Sequence, residues 1–350
     1  MTAETVLVTG GSGFLATRCV AQALRRGYAV RATVRAPGKE RRARLAVAAA
    51  GVPEDAPLSF SVADLTRDDG WAEAAEGCAY LLHVASPLPA TPPAHEDDLV
   101  RPAREGTLRV LRAARDAGVR RAVVTSSFAA IGYGHPPTDR PFTEDDWTDT
   151  GADVGAYVRS KTLAERAAWD LMDREGGDMT LTVINPTGIF GPVLGPDLAR
   201  SIGLVKALLD GTMRRTPKVR FAVVDSRDAA ELHLLAMTDP RAAGQRFIAA
   251  SGDTQPLHAL ALTLRQGLGP AARRVPTRDL PTWALRLLAR FTPRLRDAAA
   301  NAGVVRHLDD SKARDVLGWR PRPAADTLLD TARSLIDQGL VTPPPGTAPR

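Results

Sequence analysis

Apolar positions in the first 185 residues recur with two alternating rhythms. Short β-branched runs at Val6–Thr9, Ala29–Val34, Leu58–Val62, Tyr80–Ala85, Arg121–Ser127 and Leu181–Asn185 read as strands. Between them, Phe14–Arg26, Arg41–Ala50, Leu99–Ala117 and Val154–Arg174 carry apolar residues at helical spacing. Strand–helix alternation of this kind specifies a parallel sheet covered on both faces, with right-handed crossovers. The expected fold class is therefore α/β, a doubly wound Rossmann sheet whose ligand lies at the carboxyl ends of the strands.

After Pro186 the rhythm becomes irregular. Phe190-Gly-Pro-Val-Leu-Gly-Pro196 reads as a loop, Leu198–Leu209 as a helix, Lys218–Val224 as a strand, and Asp225–Met237 as a turn and helix. Residues 256–307 look helical and Pro-punctuated. The expected division is a sheet domain over 1–188, with a returning segment at about 216–250. A smaller lobe over about 189–215 and 251–340 is placed to select substrate, and 341–350 reads as a loose tail.

A chain of 350 residues with 44% apolar residues is long enough to bury a core. No stretch approaches the roughly 18 apolar residues of a membrane span, and Val6-Leu7-Val8 leaves no room for a signal peptide ahead of it. The two cysteines, Cys19 and Cys78, have no metal-ligand spacing and fit a reducing cytoplasm, so no metal is expected. The 46 basic residues exceed the 40 acidic ones, a net charge of +6, yet only five are lysines. Acids interleave with the arginines, as in Arg109-Val-Leu-Arg-Ala-Ala-Arg115-Asp116, which describes a solvated helix face. With no nucleic-acid motif beside them, nucleic acid is not an expected partner.

The chemistry begins at Val6-Leu-Val-Thr9-Gly10-Gly11-Ser12-Gly13-Phe14-Leu15-Ala16, a strand, a glycine turn and a helix start. Gly11, Gly13 and Ala16 satisfy the G-x-G-x-x-G/A fingerprint, and so do Gly10, Gly13 and Ala16. A β-carbon here would block both the tight turn and the approach of a pyrophosphate. The helix start at Phe14 and Leu15 then offers unpaired N–H groups and a positive dipole end to phosphates. An NAD enzyme is expected to carry an acid about 20 residues onward. Here the second strand ends Thr33-Val34-Arg35, and residues 31–44 hold six cations against Glu40 alone. A guanidinium pairs with a 2′-phosphate and stacks on adenine, so NADP(H) is expected, with Arg35 as main determinant and Lys39 in support. Asp64 and Leu65 follow the third strand, placed to touch adenine, although Asp64 has the alternative of capping the next helix. Val84, Ala85 and Ser86 close the fourth strand where backbone passes the cofactor ribose, and His83 reads as a packed core histidine.

Val123-Val-Thr-Ser126-Ser127-Phe128 ends the fifth strand with hydroxyls at its carboxyl end. Tyr157-Val-Arg-Ser-Lys161 opens a long helix, and its Tyr and Lys share one face at i and i+4. Hydride addition to a carbonyl makes an alkoxide, so a proton must arrive as charge develops. A free phenol has a pKa of about 10, and a neighbouring ammonium is expected to lower it.

Taken in order, Thr9-Gly-Gly-Ser-Gly-Phe-Leu-Ala16, Ala32-Thr-Val-Arg35, Ala63-Asp-Leu65, His83-Val-Ala-Ser-Pro87, Thr125-Ser-Ser127, Tyr157-x-x-x-Lys161 and Asn185-Pro186 resemble the extended short-chain dehydrogenases/reductases. The resemblance is to the dihydroflavonol-4-reductase-like branch with its aldehyde and ketone reductases, and runs from about residue 4 to 338. It implies a Rossmann domain, NADPH and a Ser-Tyr-Lys triad. Tyr157 would be the proton donor, Lys161 the residue that binds the nicotinamide ribose and tunes Tyr157, and Ser127 the one that orients the carbonyl. Ser126, its less suitable neighbour for that role, would contact the cofactor, and the Pro186–Ile189 segment would lie against the nicotinamide. Two departures matter. Ala16 stands where the family usually has a third glycine, and Phe128-Ala-Ala-Ile-Gly-Tyr-Gly134 does not match plant flavonoid enzymes. A general aldehyde or ketone reductase is expected in preference to a flavonoid one.

Two other classes share parts of this pattern. A nucleotide-sugar epimerase or dehydratase uses the same fold and triad with tightly held NAD, but its acid for the ribose is missing here. A non-catalytic NADP-sensing protein would not need Tyr157 and Lys161 together. Phe128, Tyr133 and Phe190 are candidate apolar pocket walls, with core packing as the alternative for each. His135 and His233 have no spaced partner as acids. The expected state is a monomer or homodimer acting on a small carbonyl compound.

Overall fold

The computed structural model describes residues 3–87, 95–195, 198–292 and 295–344. Its central sheet has seven parallel strands: β1 (Thr5–Val8), β2 (Ala29–Val34), β3 (Leu58–Val62), β4 (Cys78–His83), β5 (Arg121–Thr125), β6 (Thr180–Pro186) and β7 (Arg246–Ala249). They lie in the order β7-β6-β5-β4-β1-β2-β3. Strand β1 pairs with β2 on one side and with β4 on the other. The order of strands reverses at that point, which opens a crevice past the carboxyl ends of β1 and β4.

The helices are α1 (Phe14–Arg25), α2 (Glu40–Ala49), α3 (Trp71–Ala75), α4 (Asp97–Asp116), α5 (Ala156–Glu175), α6 (Arg200–Leu209), α7 (Ser226–Thr238), α8 (Leu257–Leu268), α9 (Thr282–Phe291), α10 (Arg296–Ala300), α11 (Ser311–Leu317) and α12 (Ala324–Asp337). Because successive strand residues point to opposite faces, one strand feeds two cores. Val6 and Val8 of β1 pack under α1, α2, α7 and α11, while Leu7 packs under α3, α4 and α5. Burying such strands on both sides is what makes their sequences read as continuous β-branched runs.

A third cluster, including Phe190, Ile202, Leu208, Leu264, Leu328 and Leu335, gathers the segments expected to form the smaller lobe. The lobe differs from the sequence expectation in one stretch. Ala313, Leu317 and Trp319 leave it and bury against the sheet, and the Trp319 indole N–H donates to the Asp228 carbonyl at 2.8 Å. The expected strand over Lys218–Val224 is two shorter ones with different partners. Arg220–Phe221 pairs antiparallel with Gln255–Pro256, and Val223–Asp225 pairs parallel with Gly188–Phe190. Among the described residues, no helix is long and apolar enough to cross a membrane. Most of the tail expected to be loose, residues 345–350, lies outside the described residues.

Candidate active site

The turn from β1 into α1 is built for close approach. Gly10 has φ +71°, a conformation that favours glycine, and a β-carbon there would stand 3.1 Å from the Ala85 β-carbon. The register beginning at Gly10 therefore carries the left-handed turn. Gly11 is required for a different reason: a β-carbon there would come within 2.7 Å of Ala32 Cβ on β2. The Gly10 amide donates to Thr33 Oγ1 at 3.0 Å and the Gly11 amide to the Thr33 carbonyl at 2.8 Å, which pins the turn to β2. Gly13 caps α1 with no side-chain acceptor, and the first helical turn holds no acid. The positive end of the helix thus faces out with no carboxylate of its own, a cradle that fits a pyrophosphate. Leu15 and Ala16 are buried in the sheet core and Phe14 packs on the lobe core, so the helix start can offer a ligand its backbone amides.

Past the end of β2, Arg35 and Lys39 are exposed. Two of the nearby cations are occupied elsewhere. Arg31 donates to the carbonyls of Glu73, Ala74 and Glu76, and Arg44 donates to the Leu58 carbonyl while lying over Phe60. Val34 pairs with Val62, which brings Arg35 alongside Asp64. The Asp64 carboxyl is held below the ordinary carboxylate range by the amide and hydroxyl of Thr66, each donating at 2.8 Å, with the Arg35 charge adding to this. Asp64 therefore closes a local turn. It does not cap the following helix, which begins at Trp71 behind Gly70. Leu65 is turned into the core against Gly106, so its side chain is core and only its backbone remains for the adenine contact.

Thr9 ties β1 to the end of β4. Its Oγ1 accepts the amides of Val84 and Ala85 at 3.0 Å each, which leaves its own hydrogen for His83 Nδ1 at 2.9 Å. Burial pushes the His83 imidazole down to about 3, and the Lys161 charge acts in the same direction. A neutral, fully bonded core histidine is the result.

The catalytic candidates meet where β5 ends and α5 begins. Ser127 caps the short turn Phe128–Ala130, its Oγ accepting the Ala129 amide at 3.1 Å, and its side chain lies beside the Tyr157 phenol and acts to lower it. Tyr157 keeps 38% of its surface open. Crowding around the phenol nevertheless raises its pKa above the ordinary tyrosine value. The Ser127 side chain opposes that rise, the Tyr133 phenol adds to it, and the Arg200 charge opposes it. The sequence reading gave the acidifying role to Lys161. In the structure the Lys161 ammonium donates to the Thr125 carbonyl at 3.2 Å. Sharing a helix face fixes where a side chain starts, while its end goes to the nearest acceptor. Burial pushes Lys161 down to about 8, and Glu165 acts to raise it.

Ser126 behaves unlike its neighbour. It is buried and its hydroxyl donates to Glu165 Oε2, so that hydroxyl is not available to the cofactor contact expected from sequence. Glu165 Oε2 also accepts Asn185 Nδ2 at 2.7 Å, and Oε1 accepts Arg246 Nε at 2.6 Å. The sequence reading missed Glu165 and Arg246. Glu165 was detectable as the next member of the Tyr157, Lys161 face, whereas nothing near Arg246 in the chain marks it. Pro186 is buried at the end of β6, and Ile189 is half-buried opposite Val224.

The proposed pocket walls divide. Phe190 is 1% exposed in the lobe core, and Phe128 is buried among Ile131, Phe142 and Leu308, so both are core residues here. Tyr133 is half-buried, with the Arg306 guanidinium 4.1 Å from its ring centre. His233 is buried and bonded to the Ala229 carbonyl at 2.6 Å and to Thr125 Oγ1 at 2.8 Å. His135 is exposed and bonds the Trp147 carbonyl at 2.9 Å.

The model of the NAD dependent epimerase/dehydratase family matches residues 6–250. A cinnamoyl-CoA reductase, CAD2 of Medicago truncatula, is 36% identical over 250 residues, covering 69% of this chain and 75% of its own. The dihydroflavonol 4-reductase of Zea mays is 33% identical over 289 residues, covering 79% and 76%. Among solved structures, yeast methylglyoxal/isovaleraldehyde reductase Gre2 complexed with NADPH superposes with a TM-score of 0.78 at 25% identity. That match covers 96% of this chain and 99% of the other.

Proposed function

Because the chain belongs to the NAD dependent epimerase/dehydratase family, we propose that it reduces an aldehyde or ketone to the alcohol with NADPH, Tyr157 giving the proton. The observation that carries this reading is the meeting of Ser127, just past β5, with Tyr157, in the first turn of α5, at the carboxyl edge of the same sheet that presents the glycine turn. Gly10, Gly13 and the amides of Phe14 and Leu15 would hold the pyrophosphate. Arg35 with Lys39 would face the 2′-phosphate, beside the turn closed by Asp64, and the Leu65 backbone would pass the adenine. The backbone of Val84, Ala85 and Ser86 would line the ribose. Lys161 would bind the nicotinamide ribose, and Pro186 and Ile189 would lie against the ring.

NADPH supplies the hydride that the carbonyl carbon gains. As the C=O π bond opens, the oxygen takes the Tyr157 proton, and a phenolate remains until solvent returns the proton. Ser127 lies beside the phenol and would meet the substrate oxygen as well. A hydroxyl fixed in advance by its Ala129 bond needs little reorganisation when charge develops. The Lys161 ammonium adds positive charge on the same helix face.

The test is direct. Purified protein is mixed with NADPH and a panel of small aldehydes and ketones, methylglyoxal and isovaleraldehyde among them, and NADPH absorbance is followed. Oxidation that depends on a carbonyl acceptor is expected. No oxidation with any acceptor, by protein that binds NADPH, overturns the proposal.

A further inference from the structure

We propose that Glu165 is a positioning residue for this reduction, its carboxylate setting the charge opposite Lys161 and bracing the Ser126–Ser127 corner from behind. The inference rests on the roles of Ser127, Tyr157 and Lys161 argued above.

Residues 157, 161 and 165 stand one helical turn apart on one face of α5. The Glu165 side chain is fully buried, which is costly for a carboxylate unless its oxygens are bonded. Its two oxygens serve different ends. Oε1 pairs with Arg246, which is locked in turn by the carbonyls of Glu144 at 2.7 Å and Asp146 at 2.8 Å and lies 3.8 Å over the Trp147 ring. Oε2 takes the Ser126 hydroxyl and Asn185 Nδ2, and the same Asn185 nitrogen donates to the Ser127 carbonyl at 3.2 Å. Bonding at both oxygens meets the cost of burial. The second reaches both residues that fix where Ser127 sits.

Glu165 also shares a small cavity, about 20 Å³, with Lys161, Ser126, Thr125, Thr107 and His83. Among the described residues, the charges around it are few. His83 on β4 is neutral, Arg246 comes from β7 behind Glu165, and the Glu144 carboxyl accepts the Ile248 amide at 2.8 Å and is raised by burial. Glu165 is thus the acid that acts on the Lys161 ammonium from its own helix. Removing its negative charge destabilises the ammonium, so the lysine loses its proton at lower pH.

The experiment measures kcat/KM for NADPH-dependent reduction of methylglyoxal against pH for the parent, Glu165→Gln and Glu165→Asp, with Tm for each. For Glu165→Gln the basic limb should move to lower pH by about one unit. Glu165→Asp keeps the charge but withdraws it from Ser126 and Asn185. It should leave the limb in place and lower kcat by up to about 100-fold, the scale of a mispositioned catalytic group. A purely structural role would lower Tm in both variants and leave the limb unmoved in both; that result overturns the inference. Should Glu165→Gln fail to fold, Glu165→Asp decides alone, and full kcat or a displaced limb in that variant overturns it. A parent that reduces no carbonyl removes the function proposed above and this inference with it. A parent that reduces methylglyoxal while the limb ignores Glu165→Gln removes only the inference.

Discussion

Ser127 and Tyr157 meet across the junction of two elements, the serine just past the end of β5 and the tyrosine in the first turn of α5, and the serine opposes the burial that raises the phenol. Ser127→Ala should therefore move the Tyr157 pKa upward and remove a donor that meets the developing oxyanion. We expect kcat/KM to fall by about 100-fold, the size seen when one such donor is lost. NADPH affinity should be nearly unchanged. Steady-state kinetics alongside a direct binding titration would check both.

Arg35 stands exposed beyond β2, and its charge acts on Asp64. Replacing it by Asp would put two carboxylates where a 2′-phosphate should approach. KM for NADPH should rise by at least about tenfold, as each 1.4 kcal/mol of lost pairing predicts. KM for NADH should change much less. Equal effects on both coenzymes would count against the assignment.

His83 and His233 are buried as neutral rings, pushed down to about 3 and about 4. The unfolded chain binds protons at both below about pH 6.5, whereas the folded chain does not until the lower values are reached. Their contribution to stability is complete above pH 6.5 and is lost as pH falls toward 4. Urea midpoints should decline over that window, and His83→Gln should flatten the decline even though it costs some stability at pH 7 through the Thr9 contact.

How far the sequence revealed this molecule depends on distance along the chain. The glycine turn, the alternation of the first six strands with their helices, and the Tyr157–Lys161 spacing are local patterns, and all were legible. Strand β7 is four residues long and α3 five, too short to show a period. The return of Ser311–Trp319 to the sheet is set by which core accepts Trp319, and neighbouring residues say nothing of that. The same holds in the site. Glu165 meets Arg246 across 81 positions, and Lys161 turns to a backbone carbonyl, a choice no side-chain pattern encodes. Phe128 and Phe190 show the converse. An aromatic residue beside a site looks the same in sequence whether it faces a pocket or a core.

The most direct measurement is the single-turnover rate of carbonyl reduction by Tyr157→Phe, compared with the parent at equal NADPH saturation. The phenyl ring keeps the packing and loses only the hydroxyl. A fall of at least about 100-fold with coenzyme binding intact is expected, the lower end of the range for a positioned acid. A folded Tyr157→Phe protein that binds NADPH and reduces carbonyls as fast as the parent would contradict the account.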